Sequence, residues 1–249
     1  MDLAIRNRAY WTERAPSYTE DVATNVANGG RQLWWDILAA NLPKGEHLKI
    51  LDVGTGPGFF AILLTEMGHE VTAVDYTPAM LEEAKHNAGP LADRITFLQM
   101  DAQALTFPDH SFDAIVSRNL TWNLPHPEEA YLQWYRVLKK GGRMINFDAD
   151  WYGYLFDESK RVAVQRDRGN VQDAGCTDYN AYEKASEMEE ISLQLPMGRY
   201  DRPRWDVDTL HRCGFREIFT DTEVWKITWD NEEKVNFAAT PGFMICADK

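Results

Sequence analysis

Short apolar runs alternate with amphipathic segments throughout residues 48–149. Five runs have the length and composition of strands, and they read "LKILDVG", "EVTAVD", "ITFLQMD", "FDAIVSR" and "GRMINFD". Helical patterns separate most of them: "FFAILLTEM" before Gly68, "AMLEEAKHN" after Thr77 and Pro78, and "PEEAYLQWYRVLKKGG". Such alternation implies right-handed crossovers, so it predicts a mostly parallel sheet covered by helices on both faces.

The flanking segments have different patterns. Residues 2–46 show no strand pattern, and the apolar spacing in "RQLWWDILAANL" predicts helices there. The alternation stops after Asp150 and resumes after Trp205 with "DVDTLHRCGF", "REIFTDTEVWKIT" and "GFMICAD". The first of these predicts a helix, and the last two predict an antiparallel strand pair at the sheet edge.

Together these patterns predict a Rossmann-like, doubly wound α/β fold. Its seven-stranded sheet is expected to be mostly parallel, with an antiparallel last strand. The helical segment after the fifth strand is expected to be an inserted cap over the substrate. Residues 1–46 are predicted to form an N-terminal helical cover. The sheet domain is predicted to consist of residues 47–150 and 206–249, and the cap of residues 151–205.

Charge and cysteine content narrow the expected partners. The formal net charge of −13 argues against a phosphate backbone as the main partner, because nucleic-acid binding draws on clustered Lys and Arg. The three cysteines form no CxxC and the histidines show no ligand spacing, so neither a disulfide framework nor a metal site is expected. No signal peptide is recognisable, and no run approaches the roughly 18 apolar residues of a membrane span. We therefore expect a cytoplasmic protein without membrane insertion.

A glycine-rich turn follows the first predicted strand in "ILDVGTGPGFFAI". Glycine lets the backbone approach a ligand closely, because it has no Cβ and tolerates positive φ. The dinucleotide fingerprint needs a small residue where this chain has Phe59, which would crowd the helix against the strand. Asp52 precedes the first glycine, and its carboxylate would repel a pyrophosphate but can accept from an ammonium group. The charges favour S-adenosylmethionine, which has an α-ammonium and a sulfonium but no phosphate.

Acidic residues also end the second and third predicted strands. Asp75 lies where an acid can accept from both ribose hydroxyls, a position that suits NAD as well. Asp101 and the backbone N–H of Ala102 can address the amino group and a ring nitrogen of adenine. Because the carboxyl ends of parallel strands meet at one edge of a sheet, Asp52, Asp75 and Asp101 predict one ligand lying across that edge.

Residues 48–149 resemble the class I S-adenosylmethionine-dependent methyltransferases, especially the small-molecule branch that includes the ubiquinone/menaquinone-biosynthesis type. The motifs fall in family order: "LDVGTGPGFFAILLTEMGHEVTAVDYTPAMLEEAK", "ITFLQMDAQALTFPDHSFDAIVSRNLTW" and "YRVLKKGGRMI". "CGFREI" looks like the family's later helix-to-strand junction, and "YWTERAPSYTE" is similar to its N-terminal cover. The resemblance implies methyl transfer from S-adenosylmethionine to a small-molecule acceptor, with the acceptor atom (O, N, S or C) left open.

The same resemblance implies cofactor contacts for particular residues of this chain. Those at the methionine end are Gly54, Thr55, Gly56 and Gly58, with Asp52 for the ammonium group and Tyr10 and Tyr18 closing over the carboxylate. Those at the nucleoside end are Asp75 for the ribose, Tyr76 and Met80 beside the adenine, and Asp101 with Ala102 at its edge. Arg118 and Asn119 are expected beside the methyl group.

Methyl transfer needs the nucleophile, methyl group and sulfur in line and shielded from water. A base is needed only if the nucleophile arrives protonated. Three residues are weak candidates for this base: His126, Asp148 and Asp150. Each of these residues also has an alternative interpretation. His126 could simply be a polar residue near a helix cap, and Asp148 and Asp150 could be solvated residues at a strand end.

Four aromatic residues are candidates for the acceptor pocket, and they equally suit contacts between cap and core. They are Trp122, Trp151, Tyr152 and Tyr154.

Two other functions remain open from the sequence. A nicotinamide-dependent oxidoreductase is disfavoured by Phe59 and Asp52. A catalytically silent protein that binds S-adenosylmethionine and acts as a regulator would share every cofactor motif. The segment "RNLTW" stands where methylases of amide or adenine nitrogens carry Asn/Asp-Pro-Pro-Tyr/Phe, so a nucleic-acid methylase is not expected.

Overall fold

The computed structural model describes residues 3–27 and 30–249. Its strands are β1 (Lys49–Val53), β2 (Glu70–Asp75), β3 (Ile95–Gln99), β4 (Phe112–Arg118), β5 (Leu138–Asp148), β6 (Arg216–Asp221) and β7 (Phe243–Asp248). The helices of the first half are α1 (Leu3–Ala27), α2 (Gly30–Asn41), α3 (Phe59–Glu66), α4 (Pro78–Ala88) and α5 (Pro127–Val137). Those of the second half are α6 (Glu158–Ala174), α7 (Ala185–Ser192), α8 (Arg204–Cys213), α9 (Trp225–Thr228) and α10 (Asn231–Asn236).

The seven strands form one sheet in the order β3-β2-β1-β4-β5-β7-β6. Strands β1 to β5 run parallel to one another, and β7 lies antiparallel between β5 and β6. The predicted Rossmann-like, mostly parallel sheet with an antiparallel last strand is confirmed. The carboxyl ends of β1 to β4 consequently meet at one edge of the sheet, where open α/β sheets bind ligands.

Both faces of the sheet are buried, because alternate side chains of each strand point to opposite faces. Ile50 of β1 packs in one cluster with Trp34 of α2 and Leu64 of α3. Leu51, its neighbour in the strand, packs in a second cluster that contains Trp134 of α5. The near-continuous apolar runs of the sequence therefore reflect burial on two sides.

The predicted helix "PEEAYLQWYRVLKKGG" is shorter than expected. Leu138 begins β5 directly after the helix, pairs with Phe112 and is fully buried. The N–H of Gly141 donates to the carbonyl of Lys249, and the N–H of Lys249 donates to Gly142, each at 3.0 Å. The helix ends at Val137 because the buried position of Leu138 and the pairing with Lys249 stabilise the extended strand more than further helix would.

The predicted strand "REIFTDTEVWKIT" is also shorter, since β6 ends at Asp221. The Asp221 carboxylate accepts from the N–H of Glu223 at 2.8 Å, a local turn that competes with strand extension. Val224 then turns into the core, and the following residues form the single-turn helix α9.

Residues 151–205 contain α6, α7 and shorter helical turns, and no strand. This segment packs against α1 and the turn after β4, where Tyr10, Trp122 and Met188 share one apolar cluster. The ion pair between Lys184 and Glu13 adds to this contact. The division of the chain into cover, sheet domain and cap remains a prediction.

No helix within residues 3–27 and 30–249 combines the length and apolar character needed to cross a membrane. Nor do these residues contain a cluster of His, Cys, Asp and Glu able to hold a metal ion.

Gly58, which precedes α3, is the loop glycine whose replacement is expected to disturb the fold most. Its φ is 89°, and a Cβ there would lie 2.9 Å from the Cβ of Ala84 and 3.1 Å from its Cα. We expect Gly58→Ala to lower the free energy of unfolding by about 1–3 kcal/mol, measured by urea denaturation. The matched Gly169→Ala, in α6 with no atom within 4 Å of the added Cβ, should instead raise it by about 0.5–1 kcal/mol. Equal effects of the two substitutions would contradict this account of Gly58.

Candidate active site

The glycine loop links the end of β1 to α3 and uses its own amide groups internally. Gly54, Gly56 and Gly58 have φ values of 68°, 53° and 89°. The N–H groups of Gly54 and Thr55 donate to the carbonyl of Val74, and that of Gly58 donates to Thr55. The N–H of Gly56 donates to Asp75 at 3.0 Å. These four N–H groups are therefore not available to bind a pyrophosphate.

Asp52 lies beneath this loop and is 2% exposed. Its carboxylate accepts from the Thr55 hydroxyl at 2.6 Å and from the N–H of Ala61 in the first turn of α3. Burial raises the pKa of Asp52 to about 7, although both hydrogen bonds oppose that shift. The residue both fixes the loop and contributes an acid to the adjoining cavity.

Two adjoining cavities open at the carboxyl edge of the sheet. Together with the open solvent at their mouths, the main cleft spans about 850 Å³ and the smaller cavity about 330 Å³. Every residue predicted to contact the cofactor lines one or both of them, except Tyr10 and Gly58. Those that line both are Tyr18, Gly54, Gly56 and Arg118.

Asp75 ends β2 and faces the main cleft. One carboxylate oxygen accepts from the N–H of Thr77 at 2.8 Å and the other from Gly56 at 3.0 Å. Burial raises the pKa of Asp75, and these backbone hydrogen bonds oppose the shift. The next residue, Tyr76, is exposed, and the guanidinium of Arg8 in α1 lies 5.3 Å from the centre of its ring. Helix α1 thus contacts the residues at the end of β2.

Asp101 and Ala102 follow β3 and line the same cleft, as does the buried Met80. The Asp101 carboxylate accepts from the backbone N–H of Gln103 at 2.8 Å and from its side chain at 3.0 Å. The Ala102 carbonyl accepts from the Trp134 indole at 3.2 Å. These contacts hold the turn after β3 in place at the edge of the cleft.

The two predicted closing tyrosines have different positions. Tyr18 lines both cavities and lies in ring contact with Trp11 of the same helix. Tyr10 is 2% exposed, and its hydroxyl lies 3.1 Å from that of Tyr182. Tyr10 therefore packs between α1 and the segment 151–205 and does not line either cavity.

None of the three candidate bases lines the main cleft or the smaller cavity. His126 is an exposed residue at the start of α5, and Asp150 pairs with Lys160 at 2.6 Å. Asp148 is 3% exposed and accepts from the N–H groups of Trp122 and Ala149, each at 2.9 Å. Its side chain lies in the protein interior because it pairs with a buried arginine from the 151–205 segment.

That arginine, Arg202, is the centre of a buried polar network. It donates to Asp148 at 3.1 Å and to both carboxylate oxygens of Asp206 at 2.8 and 2.9 Å. It also donates to the Thr121 hydroxyl at 2.8 Å, and the Tyr131 hydroxyl donates to Asp206 at 2.7 Å. The network anchors the turn Thr121–Asn123, whose last residue lines the main cleft.

The four aromatic candidates for the acceptor pocket line neither cavity. Trp122 and Tyr152 stack with ring centres 5.0 Å apart, and Tyr152 contacts Tyr154. Trp151 packs against Trp229 and Phe237 instead. In this arrangement they join the 151–205 segment to its neighbours. This is the role in contacts between cap and core that their sequence positions also suited.

The sequence predicted an N-terminal cover, but it did not identify which other residues of α1 line the cleft. Asn7 and Trp11 of α1 line it, together with Asn123 and Leu124 after β4. The Asn7 amide donates to the carbonyl of Asn123 at 3.1 Å and to its side-chain oxygen at 2.6 Å. No local pattern indicates this contact between residues 116 positions apart.

Known methyltransferases resemble this chain in sequence. Residues 51–146 match the sequence model of a family described as "Methyltransferase domain". A demethylmenaquinone methyltransferase of Thermus thermophilus is 37% identical over 54% of this chain and 62% of its own length. A ubiquinone/menaquinone biosynthesis C-methyltransferase of Cereibacter sphaeroides is 35% identical over 50% of this chain and 52% of its own length. The chain thus matches between half and two thirds of the length of these relatives.

Solved structures extend the likeness in fold to most of the chain. A Methanococcus maripaludis protein superposes with a TM-score of 0.61 and 21% identity, covering 96% of this chain and 93% of its own. A phosphoethanolamine N-methyltransferase of Haemonchus contortus, solved in complex with S-adenosylmethionine, gives a TM-score of 0.59 and 17% identity. That match covers 91% of this chain and 52% of the other. At these identities the likeness establishes the fold alone.

Proposed function

We propose that this chain methylates a small molecule from S-adenosylmethionine, because it shares the fold of known methyltransferases and residues 51–146 match a family described as "Methyltransferase domain". The observation that carries the proposal is the arrangement of Asp52, Asp75 and Asp101 around two adjoining cavities at one sheet edge. The internally satisfied glycine-loop amides disfavour a dinucleotide.

The residues that line the cavities fit S-adenosylmethionine, which would supply a methyl group activated by the positive charge on sulfur. Asp75 has lone pairs left to accept from ribose hydroxyls, since its two backbone hydrogen bonds use one per oxygen. Asp101 and Ala102 lie where the adenine edge is expected, and Met80 lines the same cleft. Asp52 accepts from the ammonium group, directly or through water.

We place the acceptor at the part of the main cleft between α1 and the turn after β4. Trp11, Leu120 and Leu124 give this part an apolar lining, with the Asn7 and Asn123 amides as its polar groups. Such a lining suits a flat, mostly apolar ring with few polar substituents. The named activities of the two relatives support a quinol as the acceptor and carbon as its nucleophilic atom.

The chain's contribution to the reaction is alignment and exclusion of water. The described lining of both cavities contains no histidine, and its acids are Asp52, Asp75 and Asp101, each already hydrogen-bonded. We therefore propose that the acceptor reacts as its anion: its ring carbon bonds to the methyl group, the S–CH3 bond breaks to leave S-adenosylhomocysteine, and the proton on that carbon then passes to water. No base from His126, Asp148 or Asp150 is required. Helix α1 shields the site, and the free cysteines support a reducing compartment such as the cytoplasm.

The proposal is tested by incubating the protein with S-adenosylmethionine and a reduced naphthoquinol that lacks the ring methyl group. We expect S-adenosylhomocysteine and the methylated quinol in equal amounts. The same incubation without acceptor measures background hydrolysis. Binding of the cofactor without turnover on any of a panel of phenols, amines and thiols would favour the silent regulatory protein. Oxidation of the quinol with NAD as electron acceptor would favour the oxidoreductase.

Affinity for S-adenosylhomocysteine is expected to depend on pH through Asp52. Its pKa is raised to about 7, so the carboxyl group is neutral below that pH and attracts the ligand's ammonium group only above it. The dissociation constant from calorimetry should therefore rise by about tenfold from pH 8 to pH 6. Asp52→Asn should remove most of this dependence. A dissociation constant that is flat over this range in the wild type, or equally steep in the variant, would exclude the role of Asp52.

A further inference from the structure

Asn123 ends the turn after β4 and lines the main cleft. The residue is 6% exposed, and its side-chain oxygen accepts from the Asn7 amide at 2.6 Å. Within residues 3–27 and 30–249, no hydrogen bond satisfies the NH2 group of Asn123. This nitrogen is not one of the described atoms that are both unpaired and sealed from solvent, so it faces the cleft. The NH2 group therefore offers N–H donors to a ligand there.

Neighbouring contacts decide which end of the Asn123 amide faces the cleft. The Asn7 amide also donates to the backbone carbonyl of Asn123 at 3.1 Å. If the Asn7 amide were turned over, its oxygen would face that carbonyl, so Asn7 presents its NH2 group. Asn123 consequently presents its oxygen to Asn7 and its own NH2 group to the cleft. The Arg202 network holds the same turn, since Asp148 accepts from the N–H of Trp122 at 2.9 Å.

The part of the cleft assigned to the acceptor favours an anion over an amine. Trp11, Leu120 and Leu124 give it an apolar lining. Asp75 and Asp101 follow β2 and β3, and β1 separates those strands from β4. An amide NH2 group donates but does not accept, so it matches an oxygen that has lost its proton. Apolar surroundings strengthen such a hydrogen bond.

We propose that the Asn123 NH2 group, oriented by Asn7, donates to an ionised hydroxyl group on the acceptor ring and thereby selects acceptors of the phenolate type. This inference rests on the proposed methyl transfer to a small molecule. The hydroxyl proton passes to water when the acceptor binds. Because the hydrogen bond favours the charged form, it lowers the pKa of the bound acceptor. The negative charge in turn activates the ring carbon beside the oxygen for attack on the methyl group.

The test uses the full chain saturated with S-adenosylhomocysteine, titrated at pH 8 with 4-nitro-1-naphthol, whose anion is coloured, and with its methyl ether. Asn123→Asp keeps the oxygen that accepts from Asn7 but replaces the donor by a second oxygen. We expect this variant to bind the naphtholate about ten- to a hundredfold more weakly, the usual contribution of a charged hydrogen bond. Its affinity for the methyl ether should be that of the wild type.

A second variant separates the hydrogen bond from charge repulsion. Asn123→Leu removes the donor without adding a charge, so the pKa of the bound naphthol, measured by absorbance, should be about one unit higher than in the wild type. Asn7→Leu releases the orientation of Asn123 and should raise this pKa by a smaller amount. Asn170→Leu, at an exposed position of α6, is the control and should leave it unchanged.

Three outcomes would count against these assignments at different levels. Equal binding of the naphtholate by the wild type and Asn123→Asp, or an equal loss for naphtholate and ether, would overturn the role of Asn123. Binding of S-adenosylhomocysteine without either naphthalene compound would overturn this acceptor site. Failure of the wild type to bind S-adenosylhomocysteine would overturn the proposed function itself.

Discussion

Asp75→Asn is expected to weaken the binding of S-adenosylhomocysteine by about ten- to a hundredfold, the loss of one or two charged hydrogen bonds. The two oxygens of Asp75 already accept from the N–H groups of Gly56 and Thr77. An asparagine has an NH2 group in place of one carboxylate oxygen. This group cannot accept a hydrogen bond, so the contact with either a backbone N–H or a ribose hydroxyl is lost. The substitution therefore affects both the ligand contact and the glycine loop. Calorimetric titration measures the dissociation constant directly.

The matched control for this substitution is Asp113→Asn. Asp113 lies at the amino end of β4, on the opposite edge of the sheet, where it accepts from the N–H of Lys49 at 2.9 Å. It also pairs with Lys139 at 2.7 Å. Its replacement should leave the affinity unchanged. Wild-type affinity in Asp75→Asn, or an equal loss in both variants, would show that Asp75 does not contact the ribose.

Arg202→Met is expected to lower the free energy of unfolding by about 3–5 kcal/mol, because it leaves buried carboxylates without their partner. Arg202, Asp148 and Asp206 have fully buried side chains, and Arg202 pairs with both acids. Burial raises the pKa of Asp148 while Arg202 opposes that shift, so removal of the cation favours protonation of the acid. Urea denaturation at neutral pH measures the loss of stability.

Arg212→Met provides the comparison on the same helix as Asp206. Arg212 is about half exposed and lies 3.6 Å from Glu128, so its replacement should change the free energy of unfolding by less than about 1 kcal/mol. Tyr131→Phe removes the hydroxyl group that donates to Asp206 at 2.7 Å and should cost about 1–3 kcal/mol. If Arg202→Met were as mild as Arg212→Met, the network would contribute little to stability.

The parts of the site that the sequence predicted are those fixed by local pattern. Asp75 and Asp101 follow apolar runs, and parallel strands bring their carboxyl ends to one edge whatever the rest of the chain does. The glycine loop was predictable for the same reason, since Asp52 and the alternate glycines stand directly after β1.

The parts that could not be predicted depend on packing between distant segments. Asp148 stands at a strand end like Asp75, yet it turns into the interior because Arg202, 54 positions later, pairs with it. Tyr10 and Tyr18 lie on one helix, and only Tyr18 faces the cavities. The segment 151–205 was expected to cover the acceptor. The described lining of the main cleft includes residues of α1 and none of that segment.

This arrangement gives the segment 151–205 a different proposed part in the structure. Tyr182 contacts the hydroxyl of Tyr10 at 3.1 Å, and Arg14 lies 4.5 Å from the ring centre of Tyr182. With the ion pair between Lys184 and Glu13, these contacts support α1 from the side away from the cleft. We therefore infer that the segment stabilises the helix that covers the site.

The central claim is that the two cavities together hold S-adenosylmethionine and not a nicotinamide dinucleotide. Calorimetric titration of the purified chain with S-adenosylhomocysteine, and separately with NAD and NADP, tests it most directly. We expect a single site per chain for S-adenosylhomocysteine, binding lost in large part in Asp75→Asn, and no saturable heat with either dinucleotide. Saturable binding of NAD or NADP with no heat from S-adenosylhomocysteine would contradict the claim.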